Sequence, residues 1–211
     1  MPTPSDDPVR TPATPRLATP ADAPALAVLH AETLPGDVSD FTLLGPAVVR
    51  RFYANAIARG VASVWVAPAG GAPLGFAMST SDIAALFPRA LLAGPGDMAR
   101  FVFTANPFGL ARAVLAKLSS GTANVAAVPE LVYIAVSARA RGRGLGAALV
   151  DAVHEDFRAR GIAEYELNVH AANQPATRLY LAKGFEIVRR YRKSGHDMYA
   201  MRRRVEPAGR G

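Results

Sequence analysis

Three arginines (Arg139, Arg141, Arg143) and three glycines (Gly142, Gly144, Gly146) crowd together just after an apolar run in the middle of the chain. Glycine lets the main chain approach a ligand closely, and the first amides of a helix are unpaired, carrying about half a positive charge of macrodipole. If this run opens a helix, the chemistry it offers is an anion cradle. It is not a dinucleotide fingerprint, because GRGLG meets no further glycine until Gly161, and it lacks the Lys-Ser/Thr pair of a P-loop.

The elements on either side must position that cradle. Leu131, Val132, Tyr133, Ile134, Ala135 and Val136 form a short, continuously apolar and partly β-branched run, which predicts a buried strand. After the glycines, Leu145, Leu149, Ala152, Val153 and Phe157 recur at helical spacing. Asp151, Glu155 and Asp156 face the other way, and Arg158, Arg160 and Gly161 give a stop signal. Strand, glycine turn and amphipathic helix make one unit.

The 211 residues suffice for one domain with a real core, and half of them are apolar. No cysteine is present, which excludes a disulfide framework, a thiolate zinc site and a thiol nucleophile. The four histidines are scattered without ligand spacing, so no metal centre is expected. The amino-terminal residues have no apolar core behind a basic start, and a cytoplasmic protein without a membrane anchor is the expectation. A net charge of +7 points to an anionic partner. Aromatic residues make up only 8% and do not interleave with the basic clusters, which argues against a stacking platform for single strands, and no nucleic-acid partner is expected.

Taken in order, residues 1–15 read as a disordered leader and 206–211 as a disordered tail. A short strand at 16–18 precedes Thr19-Pro20, a good cap and first-turn pair, and a helix through Ala25, Leu26, Val28 and Leu29. A second helix is predicted over 43–59, with Val48, Val49, Phe52, Tyr53, Ala56 and Ile57 on its buried face. Residues 61–67 and 74–80 form a hairpin about a 68–73 turn. Residues 82–129 carry apolar positions of two or three helices, interrupted by Arg100, Arg112 and Lys117 and so unsuited to spanning a membrane. A strand over 164–169 and a short helix capped by Asn173, with Pro175 in its first turn and Gly184 at its end, come next. A hairpin of 185–191 with 198–205 closes the chain.

Arg141, Gly144 and Gly146, following a strand that ends in Ala135-Val136, resemble the acetyl-CoA motif Arg/Gln-x-x-Gly-x-Gly/Ala of the GCN5-related N-acetyltransferase (GNAT) family. A second block is similar to the family's other cofactor motif: Asn173, Arg178, Tyr180, Lys183, Gly184 and Phe185. The resemblance implies an α/β fold with a central, mixed but mostly antiparallel sheet, over residues 16–205, with 82–129 as a helical insertion before the cofactor strand. It also implies acetyl-CoA as co-substrate and direct attack of a neutral primary amine, on a small molecule or peptide, at the thioester carbonyl.

By that resemblance, main-chain groups of Ile134, Ala135 and Val136 meet the pantetheine arm and the carbonyl. Residues 141–147 (Arg141, Gly142, Arg143, Gly144, Leu145, Gly146, Ala147) hold the pyrophosphate, and Asn173 touches the pantetheine. Tyr180 sits near the sulfur as proton donor. Glu130 stands where the histone-modifying branch of the family carries its glutamate base. The branch acting on protein amino termini places its glutamate at Asn168, and asparagine cannot be a general base. His170 is a further candidate, as loop histidines titrate near neutrality. The loop over 34–42, with Asp37 and Asp40, and the insertion are expected on the acceptor side, the insertion capping the pocket or forming a homodimer face. Two other readings stay open: a CoA-binding module without catalysis, and a basic nucleic-acid or ribosome-associated protein.

Overall fold

Helical periodicity and strand alternation resolve into seven strands and five helices among the described residues of the computed structural model, which are 14–36, 39–68, 71–92, 101, 103, 105–108, 128–193 and 195–206. The expected leader up to residue 13, Asp37, most of the 82–129 segment beyond its first helix, and the tail after residue 206 lie outside them.

Strand β1 (Arg16–Leu17) is followed by a 3-10 turn at Pro20–Asp22, capped by Thr19, that runs into α1 (Ala23–Thr33). Ala23, Leu26, Ala27 and His30 recur at helical spacing and form the buried face of α1. Helix α2 (Pro46–Ala58) starts later than its apolar pattern suggests. Asp40–Leu44 form a separate 3-10 turn, and Gly45 at φ 97° precedes a proline at the first helical position. The residue before a proline is pushed out of the helical region, so the helix cannot extend backward through Gly45.

Strands β2 (Ser63–Ala67) and β3 (Gly75–Thr80) make the predicted hairpin. Helix α3 (Ile83–Leu91) opens the long segment, with the Asp82 carboxylate accepting the Ala85 N–H at 3.0 Å as a cap. The remaining elements are β4 (Glu130–Val136), α4 (Leu145–Ala159), β5 (Glu164–His170), α5 (Gln174–Ala182), β6 (Glu186–Lys193) and β7 (His196–Arg204). The closing hairpin is longer at its tip than expected, with Lys193 paired to His196 and Arg192 to Asp197. Its tip residues are charged or polar and carry no apolar alternation, so the sequence pattern hides them. His170 and His196 accordingly end and begin strands, their rings 4.8 Å apart, where loops were expected.

The sheet order is β1-β2-β3-β4-β5-β7-β6, antiparallel throughout except for β4 beside β5. One face is covered by α1, α2 and α3 over an aromatic cluster of Phe41, Phe52, Tyr53, Phe76 and Phe87. Phe52 is fully buried there, and its truncation to alanine would cost about 3–5 kcal/mol. The other face is covered by α4 and α5, through Leu149, Val153, Phe157 and Tyr180 against Tyr165, Leu167 and Met201. No helix among the described residues is long and apolar enough to cross a membrane.

Candidate active site

The one parallel pair in the sheet decides where the site lies. Strands β4 and β5 pair at a single position, Glu130 with Glu166, and Glu166 N–H also donates to the Pro129 carbonyl at 2.9 Å. Past that point the ladder between them ends, so main-chain groups of Ile134 to Val136 on that side are left for another partner.

Those residues line a cavity of about 560 Å³. Its floor is the turn between β4 and α4: Arg141, Gly142, Gly144, Leu145, Gly146 and Ala147 all line it. Gly144 caps α4 in the left-handed region, at φ 78°, a conformation that costs a side chain but not glycine. A Cβ on Gly146 would stand 3.3 Å from Leu179, so glycine there also lets α4 and α5 close on each other. The Arg141 guanidinium donates from Nε to the Val136 carbonyl at 3.3 Å, which ties the turn to the end of β4. Arginine, open glycines and the unpaired amides at the start of α4 suit a phosphorylated group.

Helix α5 forms the opposite wall through Asn173, Pro175, Ala176, Leu179 and Tyr180. Asn173 caps the helix, its side chain accepting the Ala176 N–H at 3.2 Å. Tyr180 is 5% exposed, and burial pushes its hydroxyl well above the usual tyrosine range. It therefore keeps its proton at any working pH and can serve as a donor.

Glu130 lies at the far end of β4 and is not part of the cavity lining. Its position depends on a bulge. Met78 pairs with Tyr133 and Ser79 with Leu131, so Val132 has no counterpart across the pair. That slip brings Glu130 and Tyr133, three residues apart and otherwise on opposite faces, within electrostatic reach of each other. Tyr133 hydrogen-bonds Ser39, next to the 3-10 turn of the 34–42 loop, and burial raises its hydroxyl well above the usual range. Burial also raises the Glu130 carboxyl; a hydrogen bond from Asn168 and the charge of Lys193 pull the other way, while Glu166 adds to the rise.

The structure thus gathers Ile134, Ala135, Val136, Arg141, Gly142, Gly144, Leu145, Gly146, Ala147, Asn173 and Tyr180 around one cavity. Arg143 is exposed and outside its lining. Six lining residues escaped the sequence reading: Thr33, Leu34, Ala140, Pro175, Ala176 and Leu179. The last three sit within the second motif and could have been found from it; Leu34 opens the 34–42 loop expected on the acceptor side, whereas Thr33, at the end of α1, carries no signal. His30 and His154 lie in α1 and α4. His30 is fully buried, shares a 2.7 Å hydrogen bond with the Tyr53 hydroxyl, and is lowered by burial to a pKa of about 4.

Similarity to known proteins bears on this geometry. A curated relative, the mycothiol acetyltransferase of Beutenbergia cavernae, is 43% identical over 60 residues, or 28% of this chain, and the match spans 20% of that relative's length. Among solved structures, the ribosomal-protein-S18-alanine N-acetyltransferase from Escherichia coli shares the fold with a TM-score of 0.58 at 18% identity, covering 94% of this chain and 97% of that one. An N-acetyltransferase from Staphylococcus aureus Mu50 gives a TM-score of 0.60 at 15% identity, with coverage of 92% and 98%. The model of the acetyltransferase (GNAT) family matches residues 38–185. That stretch holds the diverging strands, the glycine turn and the helix carrying Tyr180, and this chain belongs to the GNAT family of acetyltransferases.

Proposed function

We propose that this protein is an N-acetyltransferase that moves an acetyl group from acetyl-CoA directly to a primary amine of a small molecule or peptide. The observation that carries this reading is the cavity between the β4–α4 turn and α5, where an anion cradle, free main-chain groups and a buried, protonated tyrosine converge. Bound acetyl-CoA would supply an acetyl group activated as a thioester. Arg141 and the turn amides hold its phosphates, and the end of β4 and Asn173 hold the pantetheine arm.

Proton movement falls to two groups. Glu130, half-buried and with its carboxyl raised by burial, accepts a proton from the incoming ammonium so that a neutral amine attacks. Tyr180 returns a proton to the leaving thiolate. The proposed domain spans 16–205, with 82–129 as an insertion before the cofactor strand and the 34–42 loop assigned to the acceptor side.

The test is calorimetric titration with acetyl-CoA at low and moderate salt, beside a short duplex DNA, followed by an amine screen read by thiol release. Saturable one-to-one binding and amine-dependent thiol release are expected. Binding without turnover by any amine would leave a CoA-binding module, and salt-sensitive DNA binding in place of acetyl-CoA binding would overturn the reading altogether.

A further inference from the structure

Asparagine stands on β5 where a related branch carries a carboxylate, and the structure gives it work of another kind. Asn168 Nδ2 donates to Glu130 Oε1 at 3.1 Å, and the Tyr191 hydroxyl donates to Asn168 Oδ1 at 2.7 Å. The three side chains come from β4, β5 and β6, so the line crosses the parallel junction and reaches the outermost strand. An ionised carboxylate only accepts hydrogen bonds, and a tyrosine hydroxyl facing the amide oxygen donates. The carboxylate therefore fixes the Nδ2 end of the Asn168 amide toward itself, and Tyr191 holds the amide from its other end by donating to the oxygen. With the amide reversed, its oxygen would face the carboxylate and the hydrogen bond would be lost.

We infer that Asn168 and Tyr191 are positioning residues which hold the Glu130 carboxylate in its orientation for accepting the proton of the acceptor amine. The inference rests on the reading of Glu130 as base and adds the groups through which the fold aims it. Glu130 ends the ladder between β4 and β5, at the only residue of β4 that pairs with β5, so its backbone is fixed while its side chain is not. The Asn168 amide supplies the missing restraint. The other groups facing Glu130 are Tyr133 on its own strand, Glu166 on β5 and Lys193 on β6. Arg202 on β7 neutralises Glu166 through a 2.7 Å ion pair. Arg189 lies over the Tyr191 ring, 4.8 Å from its centroid, and steadies the last member of the line.

Removing the amide takes away a hydrogen bond to the charged form, so the carboxyl becomes harder to ionise and the acid limb of the pH–rate profile moves to higher pH. Asn168→Ala should shift that limb upward by roughly one pH unit and lower kcat about tenfold, with acetyl-CoA affinity unchanged. Asn168→Asp should shift it further, since a second carboxylate would repel the first. Tyr191→Phe keeps the amide facing the carboxylate but removes the donor that holds its oxygen, and should give a smaller shift in the same direction. Asn168 and Tyr191 lie on the sheet surface, and thermal melts of each variant check that the fold is intact. Glu130→Gln, assayed in parallel, separates the two ideas. If that variant loses turnover and the three others move the acid limb in the stated order, the inference holds. If it loses turnover while the Asn168 and Tyr191 variants keep the wild-type limb, Glu130 is the base but these residues do not position it. If Glu130→Gln keeps full turnover, the base reading falls and the inference falls with it.

Discussion

The cavity between the β4–α4 turn and α5 is lined mainly by nearly continuous stretches of chain, residues 134–147 and the first turns of α5, whereas the line of side chains through Glu130, outside that lining, joins residues 38 and 23 positions apart. The first offers main-chain groups, with glycines where a side chain would strain or obstruct. The second works through side chains alone. Its geometry depends on a bulge in β4, on strands that meet at one residue pair, and on a hairpin that folds back from the carboxyl end. The first is thus assembled locally along the chain, while the second is assembled from distant strands.

Single substitutions set the two regions apart. The largest effect is expected from Glu130→Gln, which removes the proposed proton acceptor: turnover should fall roughly 1000-fold while calorimetry shows acetyl-CoA binding unchanged. A parallel loss of binding would show that the two regions are not separable. Gly146→Asp acts on the cavity lining by placing a carboxylate among the amides proposed to face the phosphates. Acetyl-CoA affinity should drop by about 100-fold, since like-charge juxtaposition costs several kcal/mol and each 1.4 kcal/mol is tenfold. An unchanged dissociation constant in the folded variant would remove the cradle from the mechanism.

His30 packs beside Tyr133, their ring centroids 4.9 Å apart, and its burial bears on acid stability. Its pKa is lowered by burial from 6.5 to about 4, so the unfolded chain takes up a proton that the folded one refuses. Stability should be complete above pH 6.5 and decline as the pH falls toward 4, by about 2 kcal/mol at pH 5, or roughly 30-fold in the folding equilibrium. Urea melts at pH 7 and pH 5 measure this, and a folded His30→Leu variant should lack that part of the decline. The smallest effect is expected from Tyr180→Phe, with turnover lowered about tenfold and binding kept. Because burial holds the Tyr180 proton above the usual range, the wild-type profile should show no alkaline limb from it between pH 7 and 9. Such a limb, present in wild type and absent in the variant, would contradict that assignment.

Much of this was legible beforehand. Periodicity located α4, the apolar run located β4, the Asn173 cap located the start of α5, and the motif glycines located the turn before α4, because each signal is local. Other features had no local signal. The start of α2 slipped from residue 43 to Pro46, where Gly45 breaks the apolar pattern's continuity. The tip of the β6–β7 hairpin is built from charged residues whose pairing is decided by main-chain hydrogen bonds. Thr33 reaches the cavity only because α1 packs across the sheet.

Sequence alone determined the glycine turn, the helix behind it and the residue types available for proton transfer, since backbone conformation and amphipathic spacing act over a few neighbouring residues. The tertiary structure decided that β4 and β5 part beyond Glu130, that Val132 bulges, and that Asn168 and Tyr191 line up on the Glu130 carboxylate. Strand order and register bring these residues together, and register is set by the packing of whole faces of the sheet against their helices.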